Sequence, residues 1–404
     1  MKLLIVTQYY WPESFLINGL SQKLCDLGHQ VTVITGKPNY PEGNVFPGYT
    51  VAGIDHEEFG GIEVIRIPLW PRKKGALGLV INYISFVLSG LWYMPKLIEG
   101  RQFDSILVFA ISPITAVIPA ISLKRKTGAH LVVWVQDLWP QSLSATGYVR
   151  SKLVLKLVGS MVSWIYAQTD TLLAQSHAFV REIGKLAKSD KIFFYPNSIE
   201  SPILDPEARP GEDMSCFDSG FSVVFAGNIG KAQAIPTLIE AATLLSQSDC
   251  QLVLVGEGSM LDWAKHEVSE LKLNNVHFIG RVESRCMPWV YQNSDALLVS
   301  LADKEIFSYT IPGKVQACFA AGKPIIASLN GEAAEVVQSS GAGLATAAED
   351  AAELAKAILK IRNMSGADRQ KMGMKGLKYF QDNFDINIQA QHLIEIIEQR
   401  IKSR

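Results

Sequence analysis

Short runs of consecutive apolar residues, each followed by a loop and then by apolar residues at helical spacing, set the rhythm of this chain. Leu3–Thr7 is the first run, of the kind a parallel sheet buries on both faces. Polar Gln8 to Ser14 make a loop. Leu16, Leu20, Leu24 and Leu27 then mark a helix that stops at Gly28, where a left-handed cap costs little. The β-branched run Gln30–Thr35 reads as the second strand. Further strands are expected at Ile62–Ile67, Ile106–Ala110, Leu131–Val135, Thr171–Ala174 and Ile192–Tyr195, with helical stretches between most of them. This alternation implies an open parallel sheet.

Residues 198–219 break the pattern. Pro202, Pro206, Pro210 and Gly211 accompany Glu200, Asp205, Glu207, Glu212, Asp213 and Asp218, with only Arg209 to oppose them, and read as a polar linker. The alternation restarts with strands expected at Ser222–Ala226, Leu252–Val255, Val276–Ile279, Ala296–Ser300 and Pro324–Ala327. An amphipathic helix, Asp385–Lys402, follows, with Ile386, Ile388, Leu393, Ile396 and Ile397 at its apolar positions. The expected architecture is two doubly wound α/β domains, residues 1–200 and 201–384, with a cleft between them as the binding site.

Length agrees, since 404 residues exceed what one hydrophobic core usually organises. A hydrophobic content of 48% with 19% charged residues excludes wholesale disorder. The net charge of −1 argues against a nucleic-acid-coating protein. It hides an asymmetry: residues 1–200 hold 19 Lys and Arg against 14 Asp and Glu, and residues 201–404 hold 19 against 25. Only the first half is therefore expected to face an anionic partner. Cys25, Cys216, Cys250, Cys286 and Cys318 form no CxxC pair and read as reduced core thiols of a cytosolic protein. Met1-Lys2 leads straight into a strand, so no signal peptide is expected.

One segment complicates a purely soluble reading. Gly75 to Pro95 is a run of 21 uncharged residues placed directly after Arg72-Lys73-Lys74. That is long enough to span a bilayer, but Asn82, Ser85, Ser89 and three glycines make it less apolar than a dedicated span. The basic flank and Trp92 and Tyr93 favour an interfacial helix on anionic lipid. An internal helix of the first domain and a true span are the alternatives.

Two windows suit an anionic ligand. In Val224-Phe225-Ala226-Gly227-Asn228-Ile229-Gly230-Lys231-Ala232-Gln233 a strand ends, two glycines open the backbone, and Lys231 stands where the next helix is expected to begin. In Tyr309-Thr310-Ile311-Pro312-Gly313-Lys314, Pro312 suits a first helical turn that Gly322 later ends. Thr310 to Gly313 would present backbone N–H groups, with Lys314 just inside the helix and Glu305 ahead of it. Solvated turns and ordinary caps are the structural alternatives.

Several stretches resemble the retaining glycosyltransferases of family 4. They are Tyr9-Tyr10-Trp11-Pro12-Glu13, Gly28-His29-Gln30-Val31-Thr32-Val33, Pro38-Asn39-Tyr40-Pro41, Gln136-Asp137-Leu138-Trp139-Pro140, Gly227–Lys231, Ile279-Gly280-Arg281 and Ala321-Gly322-Lys323-Pro324. Within that family the likeness is to enzymes of bacterial O-antigen and capsule assembly, including N-acetylfucosamine (fucosamine) transferases. The resemblance implies a GT-B fold, two Rossmann-like domains facing across a cleft, with the final helix of residues 385–404 crossing back to the first domain.

It also implies roles. A nucleotide-sugar donor, most often a UDP-sugar, would lie on the second domain. Gly227, Lys231 and the Thr310–Gly313 backbone would hold its diphosphate, with Asn228 and Gln233 also against the donor, Arg281 near the base and Glu305 and Lys314 near sugar or ribose. Gln136 and Asp137 stand where the family commonly has a His-Asp pair, so these two join Lys231 and Lys314 as catalytic candidates. Asp137 would orient or deprotonate the acceptor hydroxyl, or else cap the following turn. Glu13 and Asn18 are assigned to a lipid-linked saccharide acceptor, and Trp139 to the cleft wall. The partner surface would be the inner face of the cytoplasmic membrane, on which a cytoplasmic enzyme sits peripherally, with no nucleic acid bound.

The sequence departs from the family pattern. The usual pair of glutamates is replaced by Tyr309 and Ala317, the arginine of the phosphate loop by Asn228, and the histidine by Gln136. No Asp-x-Asp triplet occurs, so no metal cofactor is expected and basic side chains must meet the diphosphate. A UDP-sugar 2-epimerase on the same fold and a non-catalytic membrane scaffold are the competing readings.

Overall fold

The strands that the apolar runs announce assemble into two separate sheets. The computed structural model describes residues 1–73, 75–145, 149, 151–201, 208–211 and 214–403. Lys74 of the basic flank and Pro202, Asp205, Pro206, Glu207, Glu212 and Asp213 of the expected linker lie outside these residues. The chain divides into one unit of Met1–Asn197 with Ile386–Arg404, and a second of Ser198–Asp385.

The first unit carries β1 (Lys2–Val6), β2 (Gln30–Thr35), β3 (Asp55–Phe59), β4 (Ile62–Arg66), β5 (Ser105–Ala110), β6 (His130–Val135), β7 (Thr171–Ala174) and β8 (Ile192–Phe194). They lie in the order β3-β4-β2-β1-β5-β6-β7-β8. The sheet is parallel except at its edge, where β3 runs antiparallel to β4. The second unit carries β9 (Phe221–Ala226), β10 (Cys250–Val255), β11 (Val276–Gly280), β12 (Ala296–Ser300), β13 (Ile325–Ser328) and β14 (Gly343–Thr346), all parallel, in the order β11-β10-β9-β12-β13-β14. In each sheet the order reverses once, between β1 and β5 and between β9 and β12. Loops leaving those paired strands diverge to opposite sides, which opens a crevice at their carboxyl ends.

Parallel strands buried on both faces explain the uninterrupted apolar runs: every residue of β5 and β6 is buried. The final helix, Ile386–Lys402, completes the first unit's core, where Ala390, Leu393 and Ile397 pack with Leu3, Leu20 and Trp134. Each leucine or isoleucine among them contributes roughly 1.5–3 kcal/mol by leaving water. The Tyr195 hydroxyl fixes the helix by donating to the Gln389 carbonyl at 2.9 Å.

Several expectations need correction. Strand β3, Asp-His-Glu-Glu-Phe, is polar because only one side of it is paired, and β14 is a four-residue strand beginning at a glycine. Ile388, expected on the buried side of the last helix, is 44% exposed. Within the expected linker, Ser215–Phe217 forms a helical turn and Cys216 is buried in the second unit's core. Lys231 does not open a helix: it stands in a one-turn segment, Lys231–Gln233, and the helix Ile235–Leu244 starts after Ala234. Pro312 is the residue before the helix Gly313–Ala320 rather than part of its first turn.

Candidate functional site

The crevice end of the second sheet brings together the loops after β9, β10 and β11 and the helix that follows β12. Gly227 leaves β9 with φ +138°, and its N–H donates to the Val255 carbonyl at 2.8 Å. Gly256 leaves β10 so close by that a Cβ there would lie 2.0 Å from the Gly227 oxygen. Two glycines are needed because neither backbone leaves room for a side chain.

Lys314 reaches over this turn from the first turn of Gly313–Ala320. A Cβ on Gly227 would stand 2.2 Å from both the Lys314 Cε and Nζ, so the lysine occupies space that only glycine frees. Its Nζ lies 4.6 Å from the centroid of the Phe225 ring. The ammonium is buried and has no hydrogen-bond partner among the described residues. Burial lowers its pKa, against a smaller opposing pull from the Cys318 thiol. A pocket of about 420 Å³ opens here, lined by Gly227, Asn228, Gly256, Glu257, Arg281 and Lys314 among others.

Gly227, Asn228, Arg281 and Lys314 are thus brought together, whereas Lys231, Gln233, Glu305, Thr310 and Gly313 do not line this pocket. Lys231 is exposed on the neighbouring turn, which the Ala302 N–H ties to the loop after β12 by donating to the Ala232 carbonyl at 2.9 Å. Asn228 and Gln233 pair their side-chain amides at 3.1 Å. Exposed Glu305 accepts from the Tyr309 hydroxyl. Pro312 has no N–H, so the stretch before Lys314 offers main-chain donors only at Thr310, Ile311 and Gly313. Glu257 escaped the sequence reading, although Gly256 and Gly258 put two glycines directly after a strand, as Gly227 and Gly230 do after β9.

In the first unit, Gln136 and Asp137 follow β6. The Gln136 amide donates to Asn197 Oδ1 at 2.9 Å, and its carbonyl accepts from Gln175 at 2.8 Å. Asp137 accepts from the Ser112 hydroxyl, which also takes the Trp139 indole N–H at 3.1 Å. Glu13 is buried, and its carboxylate accepts from the backbone N–H groups of Tyr40 at 2.7 Å, Asn39 at 2.8 Å and Tyr10 at 3.2 Å. Burial pushes its pKa up to about 7 in spite of those three donors. Asn18 accepts from the Trp11 N–H at 3.2 Å and donates to the Glu13 carbonyl at 2.7 Å. Asn18 binds the backbone of its own loop, and Glu13 ties that loop to the one after β2.

Two family models match most of the chain: "Glycosyl transferase 4-like domain" over residues 16–198 and "Glycosyl transferases group 1" over residues 220–363. The chain is a glycosyltransferase of the GT-B fold. Curated relatives include the putative colanic acid biosynthesis glycosyl transferase WcaI of Escherichia coli (strain K12), 24% identical over 74% of this chain and 76% of its own. The probable glycosyltransferase WbjE of Pseudomonas aeruginosa is 21% identical over 83% of this chain and 88% of its own. Among solved structures, a glycosyltransferase from Rickettsia africae superposes with a TM-score of 0.68 at 15% identity, covering 100% of this chain and 99% of that one. Anabaena HepE in complex with UDP and glucose gives a TM-score of 0.64 at 15% identity, covering 98% and 99%. In this glycosyltransferase the β9–β12 crevice therefore combines an uncompensated cation with glycine-opened backbone, an arrangement that attracts and orients an anion.

Proposed function

We propose that the enzyme transfers a sugar from a nucleoside-diphosphate sugar, a UDP-sugar with UDP-N-acetylfucosamine among the candidate donors, to a lipid-linked saccharide. The setting is bacterial surface-polysaccharide assembly, O-antigen or capsule. The observation that carries the reading is Lys314, a buried ammonium without a hydrogen-bond partner among the described residues, held against Gly227 in an open pocket. A diphosphate supplies the missing counter-charge. The relatives named for colanic acid biosynthesis and for complexes with UDP support the same substrate class.

Breaking the sugar–diphosphate bond builds positive charge at the anomeric carbon and negative charge on the leaving phosphate. Lys314, aided by exposed Lys231 and the N–H groups ahead of Lys314, stabilises that phosphate more as the charge grows, which lowers the barrier. Because no Asp-x-Asp triplet is present, we assign this work to basic side chains without a metal cofactor. Asp137 orients the acceptor hydroxyl, with Gln136 fixed beside it by Asn197 and Gln175. Retention of configuration follows the resemblance to family 4. The enzyme works in the cytoplasm, peripheral on the inner membrane face, with Ala76–Leu97 as its interfacial helix.

Incubation with a panel of UDP-sugars and a polyprenyl-diphosphate-linked sugar tests the whole reading. Donor-dependent elongation of the lipid-linked sugar is expected. Donor conversion without transfer would point to an epimerase, and the absence of any UDP binding would sink the enzymatic site as drawn.

A further inference from the structure

The helix Ala76–Leu97 is apolar on both sides. Its inward stripe repeats at every fourth residue, with Asn82, Phe86 and Met94 buried and Gly90 against Pro119 of the helix Val117–Thr127. A Cβ on Gly90 would come within 2.6 Å of Pro119 Cγ, so the two helices pack closely. Its outward face presents Leu77, Val80, Ile84, Leu88, Leu91 and Trp92, each between 40% and 74% exposed. A helix attached to a globular unit along this much of its length lies on a surface instead of crossing a bilayer.

A second helix repeats the arrangement. Lys152–Gln168 is buried only in its later turns, at Val162, Ile165 and Tyr166. Leu153 at 68% exposure, Leu157 at 62% and Trp164 at 43% form an outward stripe at helical spacing. Apolar residues at helical spacing suggest a buried face, but here the first half of that face is open to solvent.

Both helices are tied to one neighbour. Lys126 of Val117–Thr127 donates to the Pro95 carbonyl at 2.6 Å, Lys124 to the Gln168 carbonyl at 2.7 Å, and Arg125 to Gln168 Oε1 at 2.9 Å. The carboxyl-terminal ends of the two outer helices are therefore held by three consecutive residues of the middle one. At ordinary packing distances the outer axes lie roughly 16–20 Å apart.

The charge on this layer is mostly basic, although Lys124 is paired with Asp170 at 2.8 Å. The three helices contain Lys96, Lys124, Arg125, Lys126, Lys152 and Lys156 and no Asp or Glu, and Arg72 and Lys73 precede the first. Such a surface repels a second copy of itself in a two-fold dimer, where like patches meet. Anionic lipid satisfies both its charge and its exposed apolar side chains.

We propose that Ala76–Leu97 and Lys152–Gln168 dock together on one anionic bilayer surface, the second helix serving as a separate anchor. This rests on the interfacial reading of the first helix. The test is sedimentation of the full chain with vesicles of phosphatidylcholine alone or with about 30% phosphatidylglycerol. The wild type is expected to bind the anionic vesicles and to be released by salt. Leu153→Ser with Leu157→Ser should cut vesicle partitioning about tenfold, as should Leu88→Ser with Trp92→Ser, while UDP affinity and thermal unfolding stay unchanged. If only the Leu88/Trp92 pair releases the protein, the second anchor is overturned and the first helix stands. If the wild type binds neither vesicle, both readings fall. If the Leu153/Leu157 pair instead turns a dimer into a monomer without altering vesicle binding, the face belongs to a second copy and the proposal is overturned.

Discussion

The two crevices of this enzyme share a topology and handle charge in opposite ways. Beside β9 and β12, Lys314 is buried without a partner, and the pocket around it is open. Beside β1, the buried ions are compensated from within the fold. Lys37 pairs with Asp55, Arg66 pairs with Glu57 at 2.8 Å, and Glu13 accepts three backbone N–H groups. A buried charge without compensation is costly, so it persists where a ligand supplies the counter-charge. A compensated one holds a loop in shape. On the proposed reading the second crevice receives an anion, whereas the contacts in the first hold the loops after β1 and β2 together.

The largest break in that contrast comes from removing the free cation. Lys314→Met keeps the volume over Gly227 and Phe225 and deletes the charge. A charge-assisted contact to a phosphate contributes about 1.5–3 kcal/mol, so UDP affinity should fall about 100-fold by titration calorimetry. Because the ammonium has no hydrogen-bond partner among the described residues and only the Phe225 ring beside it, the variant should unfold at nearly the same temperature. An unchanged UDP affinity would mean that the phosphate site is misplaced.

Glu13 tests the other half of the comparison through pH. Its pKa in the folded protein, about 7, lies above its ordinary value of 4.5. Between those values the unfolded chain is ionised while the folded one keeps its proton. Stability contributed by this group is therefore full below about pH 4.5 and is lost as pH rises through 7, by on the order of 2–3 kcal/mol. Urea unfolding across that window should show wild-type stability falling relative to Glu13→Gln, which cannot ionise. The histidines His29 and His277, held below their usual pKa chiefly by burial, titrate with the opposite sign in both proteins and cancel in the difference.

The same contrast marks what the sequence could reveal. Apolar runs announced most of the strands because strands buried on both faces leave little room for polar residues. Strand β3 stayed hidden because an edge strand tolerates Asp-His-Glu-Glu. The glycine at 227 was legible as a turn, and Lys231 and Lys314 looked equivalent, each a lysine near such a turn. What separates them is helix phase and strand order, which carry Lys314 back across the switch point onto Gly227 and leave Lys231 in solvent. Glu13 was legible as a polar residue after β1. Its commitment to Tyr10, Asn39 and Tyr40 depends on β2 lying beside β1, a contact between distant parts of the chain. The outward stripe of Lys152–Gln168 was hidden for a related reason: periodicity reports an apolar face but not what covers it.

Two smaller effects sharpen the distinction between the lysines. Gly227→Ala places a methyl group where the Lys314 Nζ and Cε now lie, at 2.2 Å from each. Those atoms are the flexible end of a side chain and can move aside, but alanine at φ +138° is strained, so the variant should lose some thermal stability and about tenfold in UDP affinity. In Lys314→Met the added alanine should cost much less, because the two substitutions remove one shared interaction and are not additive.

Lys231→Ala should have the smallest effect, about threefold on UDP affinity, because an exposed ammonium is screened and keeps its hydration until the ligand arrives. Raising the salt concentration separates the two lysines further. The Lys231 contribution should vanish at about 0.5 M salt, where the screening length is only a few ångströms, while that of Lys314 should persist inside its pocket. Equal salt sensitivity of the two variants would show that burial does not distinguish them. The contrast between a free buried cation and a solvated one would then explain nothing about donor binding.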